Sequence, residues 1–291
     1  MRNLRFLFLL CGLLLTACGS RASAQAGDAP AVKTIENIGS DTIVNLALAW
    51  AEAYQTVNPA LRISVSGGGS GTGIAALING TADIANASRA IKDEEKQNAQ
   101  KNGINPYEIQ IARDAIGVIV NPENPVNELT LEQISAIYSG RIKNWKEVGG
   151  EDRPIVLLSR ESNSGTHVYF LEEVVRLGNS KDTTLFSPDT LLLPSSEGIM
   201  AEVRQNPNAI GYDGLGYITP DVKTLGIAPK GGSEYVKPSV ESVNNGKYPI
   251  ARPLFMYTNG EPTGDVKTYI DWVLGPDGQK IVGQLGFVPL K

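Results

Sequence analysis

An α/β fold with a largely parallel sheet is what the sequence predicts, because short apolar runs of strand type alternate along most of the chain with segments whose apolar residues recur at helical spacing. Two further observations sharpen this. A breaker cluster, Asn121-Pro122-Glu123-Asn124-Pro125, separates two sets of such alternations and suits a crossover. No block repeats at a period of about 20 to 50 residues, so a solenoid is not expected.

Residues 34–38 read as the first strand, after which Ile43, Leu46, Ala47, Trp50, Ala51 and Tyr54 recur on one helical face. Residues 62–65 alternate as a strand, 73–78 make a short helix, 83–87 a strand and 92–101 a polar helix. Residues 116–120 (IGVIV) are apolar throughout, as in a strand buried on both faces. Past the breaker cluster the expected order is helix 131–138, strand 155–158, helices 166–176 and 198–204, and strand 209–212. Residues 253–257 (PLFMY) give another buried strand, and 266–274 a closing helix.

With 291 residues, 42% of them apolar, the chain can build one large or two medium cores, which excludes wholesale disorder and a small disulfide scaffold. One His and two Cys cannot furnish a His-rich or Cys-rich zinc site, and any Ser-His or Cys-His catalysis would have to pass through His167. A net charge of −5 and a pI near 5.1 argue against nucleic acid or an anionic membrane surface as partner. A small anion stays open, because it feels local dipoles rather than the total charge.

Residues 1–18, MRNLRFLFLLCGLLLTAC, open with Arg2 and Arg5, run through an apolar stretch at 6–15 and close on small residues. About ten apolar residues fall short of the roughly 20 that span a bilayer, so the segment reads as a secretory signal peptide. Leu15-Thr16-Ala17-Cys18 resembles the bacterial lipobox, which implies cleavage after residue 17 and lipid on the Cys18 thiol; ordinary cleavage near Ala22-Ser23-Ala24 is the alternative. Cys11, Arg2 and Arg5 would leave with the signal, and the mature chain becomes more acidic. Residues 18–31 are small and polar and are expected to form a tether to a body outside the cytoplasm.

Four times a strand runs into a turn of glycine and small hydroxyl residues that opens a helix. The turns are Ile38-Gly39-Ser40-Asp41-Thr42, residues 66–73 (SGGGSGTG), Asn86-Ala87-Ser88-Arg89 and residues 159–166 (SRESNSGT). The first amides of a helix are unpaired and carry roughly half a positive charge, so an anion placed there gains hydrogen bonds and dipole attraction together. Glycines admit the backbone closely, and hydroxyls add donors without bulk. One Ser or Thr before a helix is usually a plain cap. Four such turns, two with an arginine (Arg89 and Arg160), point to an anion, since in α/β sheets they lie at the carboxyl ends of strands where ligands bind. Residues 71–76 (GTGIAA) nominally fit the dinucleotide fingerprint, but Asn79-Gly80 breaks the helix and no acidic residue closes a second strand about 20 positions on. The ATP-type phosphate loop is absent. Trp50, Trp145 and Trp272 read as core residues, and the Asn79-Gly80-Thr81 sequon carries no weight beside a bacterial lipobox.

The four turns, the segment 82–89 (ADIANASR), residues 129–145 (LTLEQISAIYSGRIKNW) and residues 160–167 (RESNSGTH) occur in an order and spacing that resemble the phosphate-binding proteins (PstS type) of bacterial phosphate ABC transporters. The resemblance covers nearly all of residues 35–290. It implies a two-lobed, type II periplasmic-binding-protein-like clamshell with two crossing strands, residues 32–119 and 251–291 forming one lobe and 120–250 the other. It implies capture of inorganic phosphate and delivery to the permease subunits of an ABC importer, by a monomer that touches the membrane only through its lipid, without catalysis, metal or cofactor. The family pattern places the ligand at Ser40, Asp41, Thr42, Ser70, Gly71, Ser88, Arg89, Arg160, Ser164, Gly165 and Thr166.

One departure bears on specificity. Some members have Asp where this chain has Arg89, and that carboxylate accepts the proton phosphate keeps and sulfate lacks; here Asp41 is the nearest replacement and Asp114 the second. Two other readings compete: a receptor for sulfate, molybdate or tungstate, and a secreted hydrolase using Ser164 or Ser70 with His167. Against the hydrolase stands the lack of a metal set or a second base.

Overall fold

A computed structural model describes residues 33–290. The signal segment, Cys18 and the whole of the tether (residues 18–31) lie outside the described residues.

The first half of the chain follows the predicted alternation. Strand β1 (Lys33–Gly39) buries every second residue from Ile35 and leads into α1 (Asp41–Val57), whose Ile43, Leu46, Ala47, Trp50 and Tyr54 form one buried stripe. Then come β2 (Leu61–Ser66), α2 (Ser70–Ile78), β3 (Ile84–Ala87), α3 (Asp93–Lys101) and the 15-residue β4 (Pro106–Val120). The middle of the chain supplies β5 (Glu128–Thr130), α4 (Leu131–Tyr138), β6 (Val156–Arg160), α5 (Gly165–Phe170), β7 (Leu191–Leu193), α6 (Ser196–Gln205) and β8 (Ala209–Gly214). It closes with β9 (Lys223–Thr224), β10 (Gly226–Ala228), α7 (Val240–Asn244), β11 (Ala251–Asn259), α8 (Gly264–Leu274) and α9 (Pro276–Gln284).

The main sheet runs β2-β1-β3-β11-β4-β8-β6-β7, with β9 on the edge of β4. Pairing is parallel at its two ends, β2-β1-β3 and β8-β6-β7, and antiparallel at β3-β11, β11-β4 and β4-β8. The sheet is therefore mixed rather than largely parallel, since the chain crosses between its halves once outward in β4 and once back in β11. Residues of β4 up to Ala115 pair with β11, and those from Ile116 onward pair with β8. The apolar core divides at the same place. Ile43, Trp50, Leu254, Tyr269 and Phe287 pack together on one side, and Tyr138, Trp145, Phe170 and Tyr212 on the other. This is a two-lobed α/β clamshell with two crossing strands.

Two tyrosine hydroxyls fasten the crossing point from the second lobe. Tyr248 donates to the Ile116 carbonyl and Tyr169 to the Ala251 carbonyl, each at 2.7 Å. The helix expected over 166–176 is two pieces, α5 and a π-helical turn at Leu171–Val175. Among the described residues no helix is long and apolar enough to cross a membrane.

Candidate functional site

Three helix N-termini meet where the two lobes face each other. Helix α1 starts after Ser40 and α2 after Gly69, and neither has a side-chain cap, so their first-turn amides are not satisfied by their own cap residues. Gly39 (φ 148°) and Gly69 (φ 94°) hold backbone conformations that side-chain-bearing residues rarely adopt, which is why these turns need glycine. Helix α5 comes from the opposite lobe, and Ser164 caps it by accepting from the Thr166 amide at 3.2 Å.

The hydroxyls of these turns form two buried chains. Ser40 Oγ donates to Ser88 Oγ at 2.9 Å, and Ser70 Oγ lies 3.3 Å from Ser88 Oγ while accepting from the Ser88 amide at 3.0 Å. Across the lobes, Thr42 Oγ1 and Thr166 Oγ1 are 2.8 Å apart. Gly165 leaves room for the serines, because a Cβ there would stand 2.5 Å from Ser88 Oγ and closer still to Ser70 Oγ. Ser40, Thr42, Ser70, Ser88, Ser164 and Thr166 are all buried, so an anion reaches them only when the lobes part.

Arg160, at the end of β6, is 1% exposed in its side chain. Its Nη2 donates to Asp41 Oδ2 at 2.7 Å and to the Pro194 carbonyl at 2.8 Å, and its Nη1 donates to Ser196 Oγ at 2.9 Å. Behind it lies Asp213, fully buried, whose Oδ1 accepts from Ser196 Oγ and the Gly214 amide while its Oδ2, 4.0 Å from Nη1, has no hydrogen-bond partner. Burial pushes the Asp213 carboxyl up to about 6 against the pull of Arg160. Asp41 keeps 20% of its side chain exposed, accepts Arg160 on one oxygen and the Gly68 amide on the other at 2.9 Å, and so stands at the rim of the cluster.

The lobes are also tied beyond the hydroxyls. Asn163 Nδ2 donates to the Gly68 carbonyl at 2.8 Å and its carbonyl accepts from the Gly71 amide at 3.0 Å, while Tyr217 donates to the Asp41 carbonyl at 2.6 Å.

Two expected residues are placed differently. Arg89 turns to Glu95, which it grips with Nη1 at 2.8 Å and Nη2 at 2.7 Å, because Glu95 is the third residue of α3 and reaches back to cap that helix. Asp114 is buried in β4, where its Oδ2 accepts Arg252 at 3.0 Å; burial raises its pKa even though Arg252 opposes the shift. His167 bonds Ser159 Oγ through Nδ1 at 3.0 Å and lies against Phe186 with the rings tilted, and burial lowers its pKa. Ser164 serves the amides of α5 rather than the His167 ring, so the serine and histidine of the hydrolase reading are not paired.

The residue that sequence reasoning missed is Arg252. It stands one position before the predicted strand, and its guanidinium reaches Asp114, Thr42 Oγ1 at 3.4 Å, Thr166 Oγ1 at 3.0 Å and the Ser88 carbonyl at 3.0 Å. The one available signal was a charged residue beside an otherwise apolar buried run.

A family model described as a PBP superfamily domain matches residues 24–277. The phosphate-binding protein PstS of Pseudomonas aeruginosa is 34% identical, with 97% of this chain and 94% of that protein covered. The chain belongs to the PstS-type family of the PBP superfamily. A second PstS, from Bacillus subtilis, is 30% identical over 96% of this chain and 90% of its own length. Among solved PstS-type folds, a phosphate ABC transporter substrate-binding protein from Clostridium perfringens, so described and with bound phosphate, aligns with a TM-score of 0.79 at 35% identity, covering 89% of this chain and all of that one. An ABC-type phosphate transport receptor from Vibrio cholerae aligns at 0.70 and 28% identity, covering 88% of this chain and all of its own. PstS-type proteins are extracytoplasmic substrate-binding proteins.

Proposed function

We propose that this protein captures inorganic phosphate outside the cytoplasm and delivers it to the permease of an ABC importer. The observation that carries the reading is the convergence of Ser40, Thr42, Ser70, Ser88 and Thr166 hydroxyls with two uncapped helix N-termini and the buried Arg160. Such a cluster offers an oxyanion many donors and few acceptors. The lobes, residues 32–119 with 251–291 and residues 120–250, close over the ligand.

In this mechanism each hydroxyl turns its proton from its neighbour to a phosphate oxygen, and the amides of Asp41, Thr42 and Gly71 face the anion as the α1 and α2 turns adjust. Arg160 supplies the formal positive charge and Ser164, Gly165 and Thr166 bring the second lobe onto the ligand. Arg89 acts at one remove, since its grip on Glu95 fixes the turn that carries Ser88. Asp41 reads the ligand's proton: its carboxylate is the one at the rim of the cluster, and an unprotonated sulfate oxygen beside it would be repelled. Asp114, sequestered by Arg252, is the less suited of the two carboxylates. No bond is made or broken, and no cofactor takes part. The mature protein is a monomer held to the membrane by lipid on Cys18, through the tether of residues 18–31.

Titration calorimetry tests the reading. Phosphate should bind tightly and sulfate weakly; sulfate binding with no response to millimolar phosphate would assign the site to another oxyanion.

A further inference from the structure

We propose that Arg252 is a positioning residue of the anion site: locked by Asp114, its guanidinium donates to the hydroxyls of Thr42 and Thr166 and leaves their protons to turn to an anion, and the closed site thereby favours the more highly charged form of a tetrahedral oxyanion. The proposal rests on the phosphate reading above.

A hydroxyl has one proton to give and two lone pairs to receive with, whereas a guanidinium can only give. Arg252 Nη2 donates to Thr166 Oγ1 at 3.0 Å and toward Thr42 Oγ1 at 3.4 Å, so these oxygens already receive, and their protons must point elsewhere. With an oxyanion beside them, both protons are free to turn to it. The serine side repeats the arrangement, since the Ser88 amide donates to Ser70 Oγ at 3.0 Å and directs the Ser70 proton outward. A ligand bearing a second proton must compete for the few lone pairs these hydroxyls have left, whereas an unprotonated oxygen meets their protons, so the more highly charged form is the better match.

Arg252 is well held for the task. Its side chain is 0% exposed, Nε and Nη2 reach Asp114 Oδ2 at 3.2 and 3.0 Å, and Nη1 donates to the Ser88 carbonyl at 3.0 Å. The Tyr169 ring covers the guanidinium with its centroid 5.6 Å away. Because Arg252 sits where β11 leaves the crossing point and touches Thr42 and Ser88 from one lobe and Thr166 from the other, it aligns the hydroxyls only when the lobes are together. The charged and titratable groups around it are Asp114 on β4, Tyr169 on α5, Asp213 on β8 and, further along, Arg160 on β6, with Tyr248 beside Asp114.

The test is calorimetry of phosphate on the full chain in detergent, repeated across the second ionisation of phosphate. The main variant pairs Arg252→Gln with Asp114→Asn, which leaves no buried charge alone; Arg252→Lys keeps the charge but loses the planar fork. Circular dichroism and thermal melts report folding. The neutral pair should bind phosphate about 10- to 100-fold more weakly. Its affinity should also rise less steeply as phosphate loses its second proton, with Arg252→Lys recovering part of both. Unchanged affinity overturns the proposal, and so does weaker binding with the wild-type pH slope, which would mean a merely structural residue. Should the neutral pair fail to fold, Arg252→Lys decides alone: wild-type affinity and slope in that variant reject the role. Absence of phosphate binding by the wild type would instead defeat the functional reading itself.

Discussion

Gly165→Ala separates closure of the lobes from folding of each lobe. The nearest atoms to a Cβ at Gly165 belong to Ser70 and Ser88, which lie on the opposite lobe, and its backbone is not in the left-handed region. Admitting the methyl in the closed state means displacing both hydroxyls and breaking the Ser88 amide to Ser70 and Ser40 to Ser88 bonds, each about 1 kcal/mol. Overpacking adds about 1 to 3 kcal/mol. The closed, liganded state should thus lose about 3 to 5 kcal/mol, or roughly 10²- to 10⁴-fold in phosphate affinity. Opening the cleft relieves the clash entirely. Alanine is also the better helix former, so the melting temperature without phosphate should hold or rise slightly. Calorimetry gives the affinity, and X-ray scattering shows whether saturating phosphate still contracts the particle. Wild-type affinity in Gly165→Ala would refute the placement of Ser70, Ser88 and Gly165 around one anion.

Other consequences follow from the same geometry. Arg160→Ala should weaken phosphate by a few kcal/mol, the scale of a buried charge-assisted contact, and an unchanged dissociation constant would remove Arg160 from the ligand. Asp41→Asn should narrow the gap between phosphate and sulfate affinities; an unaltered ratio would move proton reading elsewhere. Asp213, with its pKa raised from 3.8 to about 6, binds an extra proton in the folded state between those values, so its contribution to stability is present below about pH 4 and is lost as pH rises to 6. Denaturation of Asp213→Asn against wild type should therefore shift in favour of the variant by about 2 kcal/mol between pH 4 and 7, and a flat difference contradicts the shift. Cys18→Ala should abolish fatty-acid labelling in cells and release the protein from the membrane fraction; retention would exclude the lipid anchor.

The anion turns were legible because they are local. Ser40, Ser70, Ser88 and Thr166 each follow a strand and open a helix or turn, and glycines at 39 and 69 mark the conformations those turns require. Arg252 was not legible, since its contacts to Thr42, Ser88 and Thr166 span 210, 164 and 86 residues of sequence and exist only once β11 has settled beside β3 and β4. The Arg89 pairing was not legible for a related reason: a helix-capping glutamate six residues on, Glu95, takes both arms of its fork once α3 has formed. In the fold, the buried half of β4 announced itself as IGVIV, whereas residues 106–115 carry Glu108, Arg113 and Asp114 and hide a strand whose partners come from β11. Short strands such as β7 and β9 and the five-residue α7 are held by tertiary contacts and leave too little periodicity to be read.

The most direct test of the account is the electron density of crystals grown with phosphate. One tetrahedral anion should lie between the lobes, ringed by the hydroxyls of Ser40, Thr42, Ser70, Ser88 and Thr166 and bonded to Arg160, with Arg252 behind the threonines. An anion bound elsewhere, or a cleft in which Arg160 keeps Asp41 and takes no ligand oxygen at saturating phosphate, would contradict it.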